Sequence, residues 1–167
     1  MKKIVSAFTG QSNSGKTTLV LKLSKYLQEQ GYKVCIVKHD PADKAIFDKE
    51  GKDSQRFFAT GADVIVVSPT RTTVFKQQSS SIDEIVELFG EFDYLLVEGL
   101  KTIPLPRIAV QRETLDDRYF EMSDAIATDD TISAEQIPKE CEHLDLNNLE
   151  AIHQWIEKNG KRYNTIS

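Results

Sequence analysis

Eight consecutive residues carry the clearest chemistry in the chain: Gly10-Gln11-Ser12-Asn13-Ser14-Gly15-Lys16-Thr17. Their spacing is Gly-x4-Gly-Lys-[Ser/Thr], the pattern of a loop that wraps phosphate groups (a P-loop). Each residue type has a mechanical reason. Glycine lets the backbone approach phosphate oxygens closely, with its N–H groups turned inward. A helix starting at the end of the loop adds partial positive charge. Lys16 supplies a full charge to the β- and γ-phosphates, the Thr17 hydroxyl is a ligand for Mg²⁺, and Thr18 donates to the next phosphate. A glycine-rich turn can match such a pattern by chance. Here, however, an apolar strand runs up to Gly10 and an amphipathic helix follows Lys16. Gly10, Gln11, Ser12, Asn13, Ser14, Gly15, Lys16, Thr17 and Thr18 are therefore read as the binding loop for a nucleoside triphosphate with Mg²⁺.

Such a loop works with a carboxylate at the C-terminal end of a buried strand. Tyr94-Leu95-Leu96-Val97 leads straight into Glu98-Gly99, so Glu98 stands at the ligand end. Asp93 stands at the other end, as a cap or a surface group. Glutamate thus replaces the more usual aspartate. Glu98 is read as holding a metal-bound water or orienting the attacking water, with a plain solvated carboxylate as the alternative. Lys16 and Glu98 are the catalytic candidates. Lys101 follows closely, as a partner of Glu98 or a ligand contact. After the second strand, Lys38-His39-Asp40 opens a polar loop holding Asp43, Asp48, Gly51, Lys52, Asp53 and Ser54. Loops there commonly sense a γ-phosphate. Thr17, Asp48 and Glu98 are the metal candidates, Asp48 acting through water. His39 reads equally as structural or functional, and no role is assigned to His143 or His153.

These residues need elements to position them. Short apolar runs alternate with helical patterns, the signature of βαβ units. Strands are expected over Ile4–Thr9, Val34–Lys38, Tyr94–Val97, Arg107–Arg112, Ala125–Thr128 and His143–Leu146. Leu19, Leu23 and Leu27 share one face of a helix that starts at Lys16 and stops at Gly31. A short helix fits Asp53–Thr60. Ser81 and Glu84 form a capping box ahead of Ile82, Ile85, Val86 and Phe89, and Gly90 ends that helix. A closing helix fits Asn147–Asn159, and the tail over Gly160–Ser167 is expected to fray. Val64–Ser68 and Thr73–Lys76, separated by a turn, read as a hairpin added antiparallel to the sheet. The fold class is therefore α/β: a mostly parallel twisted sheet with helices on both faces and an added β-hairpin. Residues 1–167 read as a single nucleotide-binding domain.

The chain has 167 residues and a net charge of −5. That balance gives no general attraction to nucleic acid or anionic lipid, so phosphate binding must be local. No apolar run is long enough to span a bilayer. The two lysines ahead of the first strand lead into Gly10 and polar residues rather than a cleavage site, so a cytoplasmic location is expected. Cys35 and Cys141 are isolated, which argues against a disulfide framework or a zinc site; Cys35 reads as a core residue.

Several motifs occur in one order: Gly10 to Thr18, Val37-Lys38-His39, Gly51-Lys52-Asp53-Ser54, Gly61-Ala62, Val97-Glu98-Gly99-Leu100-Lys101, and Pro104 to Arg107. In this the chain resembles the MobB family of molybdopterin-guanine dinucleotide biosynthesis proteins, from residue 1 to about residue 130. The Gly-Lys-Asp-Ser and Glu-Gly-x-Lys elements are more specific than the phosphate loop alone. The resemblance implies the P-loop NTPase fold, GTP binding with Mg²⁺, weak GTPase activity and a homodimer. It also implies an accessory role beside the guanylyltransferase that attaches GMP to molybdopterin, with molybdopterin itself as a further candidate ligand. The family tends to have further histidines after the Lys-His pair, where this chain has Asp40-Pro41-Ala42-Asp43. Any role of those histidines does not carry over, whereas the aspartate that follows them is retained as Asp48.

The guanine motif Asn-Lys-x-Asp is absent, because Asn147-Asn148 is followed by Leu149-Glu150. The residues alone leave GTP and ATP open, and the resemblance selects GTP. Asp129, after the strand Ala125–Thr128, is the candidate acceptor for guanine N1 and N2, with a polar strand end as the other reading. Two functions of different classes remain, beside a non-catalytic nucleotide-dependent binding module that differs from the first only in whether hydrolysis matters. One is a GTP-hydrolysing accessory protein. The other is a self-sufficient small-molecule kinase or ligase of the dethiobiotin synthetase type, which needs a basic lid. Arg107, Arg112 and Arg118 are the one arginine cluster, and they are spread over a strand and a loop, which weakens the kinase reading.

Overall fold

A computed structural model describes residues 1–163. By contacts the chain divides into two compact units, residues 1–39 with 91 onward, and residues 40–90. In the first unit β1 (Ile4–Thr9) is buried along its whole length. It is followed by α1 (Lys16–Glu29) and β2 (Val34–Lys38). The second unit holds α2 (Asp53–Phe58), β3 (Val64–Val67), β4 (Thr72–Phe75) and α3 (Ile82–Phe89). The first unit resumes with β5 (Tyr94–Glu98), β6 (Arg107–Gln111), β7 (Ala125–Thr128), β8 (Glu142–Asp145), α4 (Leu149–Asn159) and β9 (Lys161–Arg162).

The sheet order is β2-β5-β1-β6-β7-β8, and every pair in that series is parallel. Period-two alternation divides the apolar residues between its faces. Ile4, Phe8, Tyr94, Leu96, Ile108 and Val110 pack with Leu19, Leu23 and Leu27 of α1 and with Ile152, Trp155 and Ile156 of α4. On the opposite face Ala109 and Ile126 pack with Tyr119, Ile132 and Ile137. Tyr119 lies in one 3-10 turn, and Ile137 follows another.

Most expected elements lie where the sequence puts them. Gly31 and Gly90 close α1 and α3 in left-handed conformations, at φ +85° and +64°. The Ser81–Glu84 capping box forms in both directions. Three expectations change. The hairpin forms, but β3 and β4 make their own two-stranded sheet within the second unit, not an extension of the main sheet. Its β-branched residues signal a strand equally well in either setting, and Ile65 and Val67 stay exposed. The closing helix starts at Leu149, because Asp145 first gathers the N–H groups of Asn147 and Asn148 into a turn. The tail does not fray at once: Lys161 and Arg162 pair antiparallel with Val5 and Ile4. The rest of the expected frayed tail, residues 164–167, lies outside the described residues.

A polar and aromatic cluster closes the N-terminal ends of the strands. Tyr94 Oη lies 2.7 Å from His153 Nε2. The Glu157 carboxylate accepts from both Lys2 and Tyr94. The rings of Tyr26, Tyr32 and Tyr94 stand edge-on to His153. Burial holds the His153 imidazolium below the ordinary histidine value, against the opposing pull of Glu157. The unfolded chain therefore takes up the proton more readily, and stability present above pH of about 6.5 declines as pH falls below it. Urea midpoints between pH 8 and 5 should show that decline, and His153→Gln should flatten it; equal slopes in both proteins would exclude His153 as the source.

Candidate functional site

The parallel register delivers the site. Phe8 pairs with Glu98, and Lys38 pairs with the same Glu98 from the other side. The C-terminal ends of β1, β2 and β5 therefore open together, with the phosphate loop leaving the end of β1.

The loop is built by close packing. Gly10 has φ +140°, and a Cβ there would lie 2.3 Å from the Val110 carbonyl oxygen and 2.8 Å from Ser14 Oγ. Asn13 and Gly15 also take left-handed conformations, at φ +64° and +95°. Gly15 is the N-cap of α1 and no side chain caps that helix. Ser14 Oγ is buried with no hydrogen-bond partner. Lys16 Nζ bridges the carbonyls of Gly10 and Gln11. A glycine cradle, an uncapped helix N-terminus, an unpartnered buried hydroxyl and an ammonium folded across the loop together fit a polyphosphate.

Glu98 is 8% exposed. The Thr17 hydroxyl stands 3.2 Å from each of its carboxylate oxygens, and Lys38 Nζ donates to Oε1 at 3.1 Å. The Glu98 backbone oxygen accepts from His39 N, so the end of β5 is also pinned through its main chain. The solvated-carboxylate reading of Glu98 therefore fails: a buried carboxylate requires partners, and it has them. Burial pulls the Lys16 ammonium below the ordinary lysine value; Glu98 pushes it back up, while Lys101 and Lys38 add to the lowering. Lys101 itself donates to Tyr119 Oη at 3.1 Å and lies over that ring.

A cleft on the other side of the loop is lined by Gly15, Thr18, Leu19, Lys22, Arg112, Asp129 and Asn147. Gln111, Thr128 and Asp145 end three neighbouring strands in register, so the loops carrying Arg112, Asp129 and Asn147 leave side by side. Asp129 Oδ2 accepts from Arg112 Nε at 2.5 Å, and Oδ1 accepts from the Thr131 backbone N–H and hydroxyl. Thr131 and Arg112 hold its carboxyl below the usual carboxylate range.

The structure thus brings Gly10 to Thr18, Glu98 and Asp129 together in one unit. Asp48 belongs to the second unit, where Oδ1 accepts from Lys49 N and Oδ2 is buried without a partner. Among the described residues, no three His, Cys, Asp or Glu side chains cluster as a metal site. The three arginines do not gather into a lid. Arg107 is buried, Arg112 pairs with Asp129, and Arg118 pairs with Asp116. His143 bonds Thr128 and His153 bonds Tyr94, so both have structural partners. Sequence reasoning missed Asp116, which accepts from the loop residue Gln11 at 2.8 Å. It also left Lys38 without a partner, although Lys38 and Glu98 both end strands.

The family model for molybdopterin guanine dinucleotide synthesis protein B matches residues 5–130. A molybdopterin-guanine dinucleotide biosynthesis adapter protein from Haemophilus influenzae is 32% identical over 157 residues, covering 89% of this chain and 85% of the relative. A probable adapter protein of the same kind from Bacillus subtilis is 32% identical over 122 residues, covering 71% and 70%. Among solved structures, Bacillus subtilis MobB superposes with a TM-score of 0.71 at 23% identity, covering 95% of this chain and 98% of that one. No described helix is long and apolar enough to cross a membrane.

The loop geometry can be tested directly. Gly10→Ala places a methyl group against the Val110 carbonyl and should cost more than about 1 kcal/mol. A thermal midpoint several degrees below wild type is the expected result; an unchanged midpoint would mean that β1 and β6 can separate here without penalty.

Proposed function

The chain belongs to the MobB family, and on that footing we propose that it is a GTP-binding adapter protein with weak GTPase activity in molybdopterin guanine dinucleotide synthesis. The observation that carries the reading is the bond from the Thr17 hydroxyl to the buried Glu98 carboxylate, beside Lys16. It joins the phosphate loop to an acidic group on the neighbouring strand. Backbone groups of Gly10 to Gly15 and the Lys16 ammonium would hold the phosphates, and Thr17 and Glu98, the latter directly or through a metal-bound water, would hold Mg²⁺. Mg²⁺, when bound, supplies positive charge to the terminal phosphate oxygens. Glu98 would orient a water whose oxygen attacks the γ-phosphorus, while the bond from that phosphorus to the β–γ bridging oxygen breaks to leave GDP and the water's proton passes to the released phosphate. The cleft between Gly15 and Asp129 receives the base, and the Asp129 carboxylate accepts from guanine N1 and N2.

The adapter works as a cytoplasmic homodimer beside a molybdenum cofactor guanylyltransferase, with its two units acting as one nucleotide-responsive domain. The self-sufficient kinase or ligase reading loses support, because the three arginines available for a lid each have a structural partner.

Calorimetry with GTP, ATP and GMP in the presence of Mg²⁺ tests the nucleotide assignment. GTP should bind tightest, Lys16→Ala should lose at least about tenfold in affinity, and Asp129→Asn should narrow the gap between GTP and ATP. A wild type that ranks ATP with GTP would overturn the base assignment. The adapter role is tested by reconstituting cofactor guanylylation with the partner enzyme under limiting GTP. Addition of this protein should stimulate product formation, and Glu98→Gln should retain GTP binding while slowing intrinsic hydrolysis by more than about tenfold. Stimulation that survives Lys16→Ala would show that nucleotide binding is not the lever.

A further inference from the structure

Arg107 has a place that neither the phosphate-loop pattern nor the kinase alternative anticipates. It opens β6 and is 2% exposed. Burial lowers its pKa, opposed by the carboxylate of Asp124, which accepts from the Arg107 backbone N–H at 2.8 Å. The guanidinium spends its donors on backbone oxygens. Nη1 donates to Gly99 O at 2.9 Å, and Nη2 donates to Leu100 O at 3.0 Å and Ile103 O at 2.9 Å. All three acceptors lie in the turn that begins immediately after Glu98.

That turn needs a clamp. Gly99 and Leu100 both take left-handed conformations, at φ +95° and +48°. For Leu100 that is a strained backbone, which persists only where its surroundings over-determine it. A Cβ on Gly99 would lie 2.8 Å from His39 Cβ, so the turn also has no room to shift toward β2. The turn follows directly on Glu98 and contains Lys101, whose ammonium is one of the charges felt by Lys16.

We propose that Arg107 is a positioning residue: its guanidinium fixes the Gly99–Ile103 carbonyls and so holds the Glu98 carboxylate against Thr17 for work at the metal and γ-phosphate end of a nucleoside triphosphate. This rests on the reading of Thr17 and Glu98 given above. The planar fork matters, not only the charge. A lysine carries one ammonium and cannot span three carbonyls in that geometry. The phosphate grip of Gly10 to Lys16 is built by other contacts and does not depend on Arg107.

Two variants test this. Arg107→Lys keeps the charge and loses the fork. Gly99→Ala disturbs the same turn from the His39 side and leaves Arg107 intact. In nucleotide-free protein, hydrogen exchange of both variants should rise across residues 98–103 and stay unchanged across residues 10–17. GTP affinity without Mg²⁺ should hold within about twofold, while the strengthening by Mg²⁺ and the hydrolysis rate should each fall by about tenfold. Unchanged exchange at 98–103, or an equal loss of affinity with and without Mg²⁺ that tracks melting temperature, would overturn the inference. A wild type whose nucleotide binding ignores Mg²⁺ would instead overturn the parent reading, and the exchange result would still decide whether Arg107 holds the turn.

Discussion

The site depends on one close approach, the Gly10 backbone lying against the Val110 carbonyl oxygen where a Cβ would come within 2.3 Å. β1 is the strand with neighbours along both edges where it meets the loop: β5 on one side and β6 on the other. Its end cannot move without breaking one ladder. A loop leaving that end is therefore set by strand packing rather than by its own hydrogen bonds. Only a residue without a side chain passes β6 at that distance, and the turn this permits brings Lys16 back across the loop carbonyls. The parallel register then fixes Glu98 opposite Phe8 and beside Lys38. The chemical groups converge because three parallel strands end on one level, as in open α/β sheets generally.

The charges follow from that geometry. A carboxylate as buried as Glu98 is unfavourable unless paired, and removing one partner of such a group costs more than the pair itself contributes. Thr17 and Lys38 satisfy it. Lys38 and Lys101 both lower the Lys16 pKa, and Glu98 raises it. Three lysines thus act around one carboxylate at the end of β1, β2 and β5 in a chain of net charge −5.

What the sequence revealed, and what it hid, divides along the same line. Local constraints were legible. Gly10 and Gly15 mark the loop, Leu19, Leu23 and Leu27 mark a helix face, and Ser81 with Glu84 marks a helix start, because each depends on residues a few positions apart. The placement of Glu98 was legible because an apolar strand ends at it. The roles of the arginines were not. Arg107, Arg112 and Arg118 look alike in sequence, but one is buried among carbonyls and two meet carboxylates. The Arg112–Asp129 pair depends on β6 lying beside β7, which no spacing encodes. The Arg107 and Arg118 partners are near in sequence, but the turns that bring them into reach carry no pattern of their own. The short β9 was hidden for a similar reason: Lys161 and Arg162 carry no strand pattern, and they pair because β6 leaves the first half of that edge of β1 uncovered.

The base side raises a question of exchange. Both oxygens of Asp129 are engaged, Oδ2 by Arg112 and Oδ1 by Thr131. A guanine read by this carboxylate must take over at least the Arg112 bond. The Arg112 side chain is 49% exposed and that of Asp129 is 10% exposed, so water competes for the guanidinium. An ion pair of that kind contributes about 1 kcal/mol or less. Two N–H groups donating to a charged, largely buried acceptor give a comparable or larger gain, about 1.5–3 kcal/mol each. On the proposed reading, guanine would replace the Arg112 bond with two donors, whereas adenine presents an unprotonated ring nitrogen at the same edge and would leave the carboxylate facing a lone pair. Thr131 and then Arg112 hold the Asp129 carboxyl below the usual carboxylate range and fix its direction toward the cleft. If guanine is the ligand, Thr131 can keep the carboxylate in place while the half-exposed Arg112 gives way.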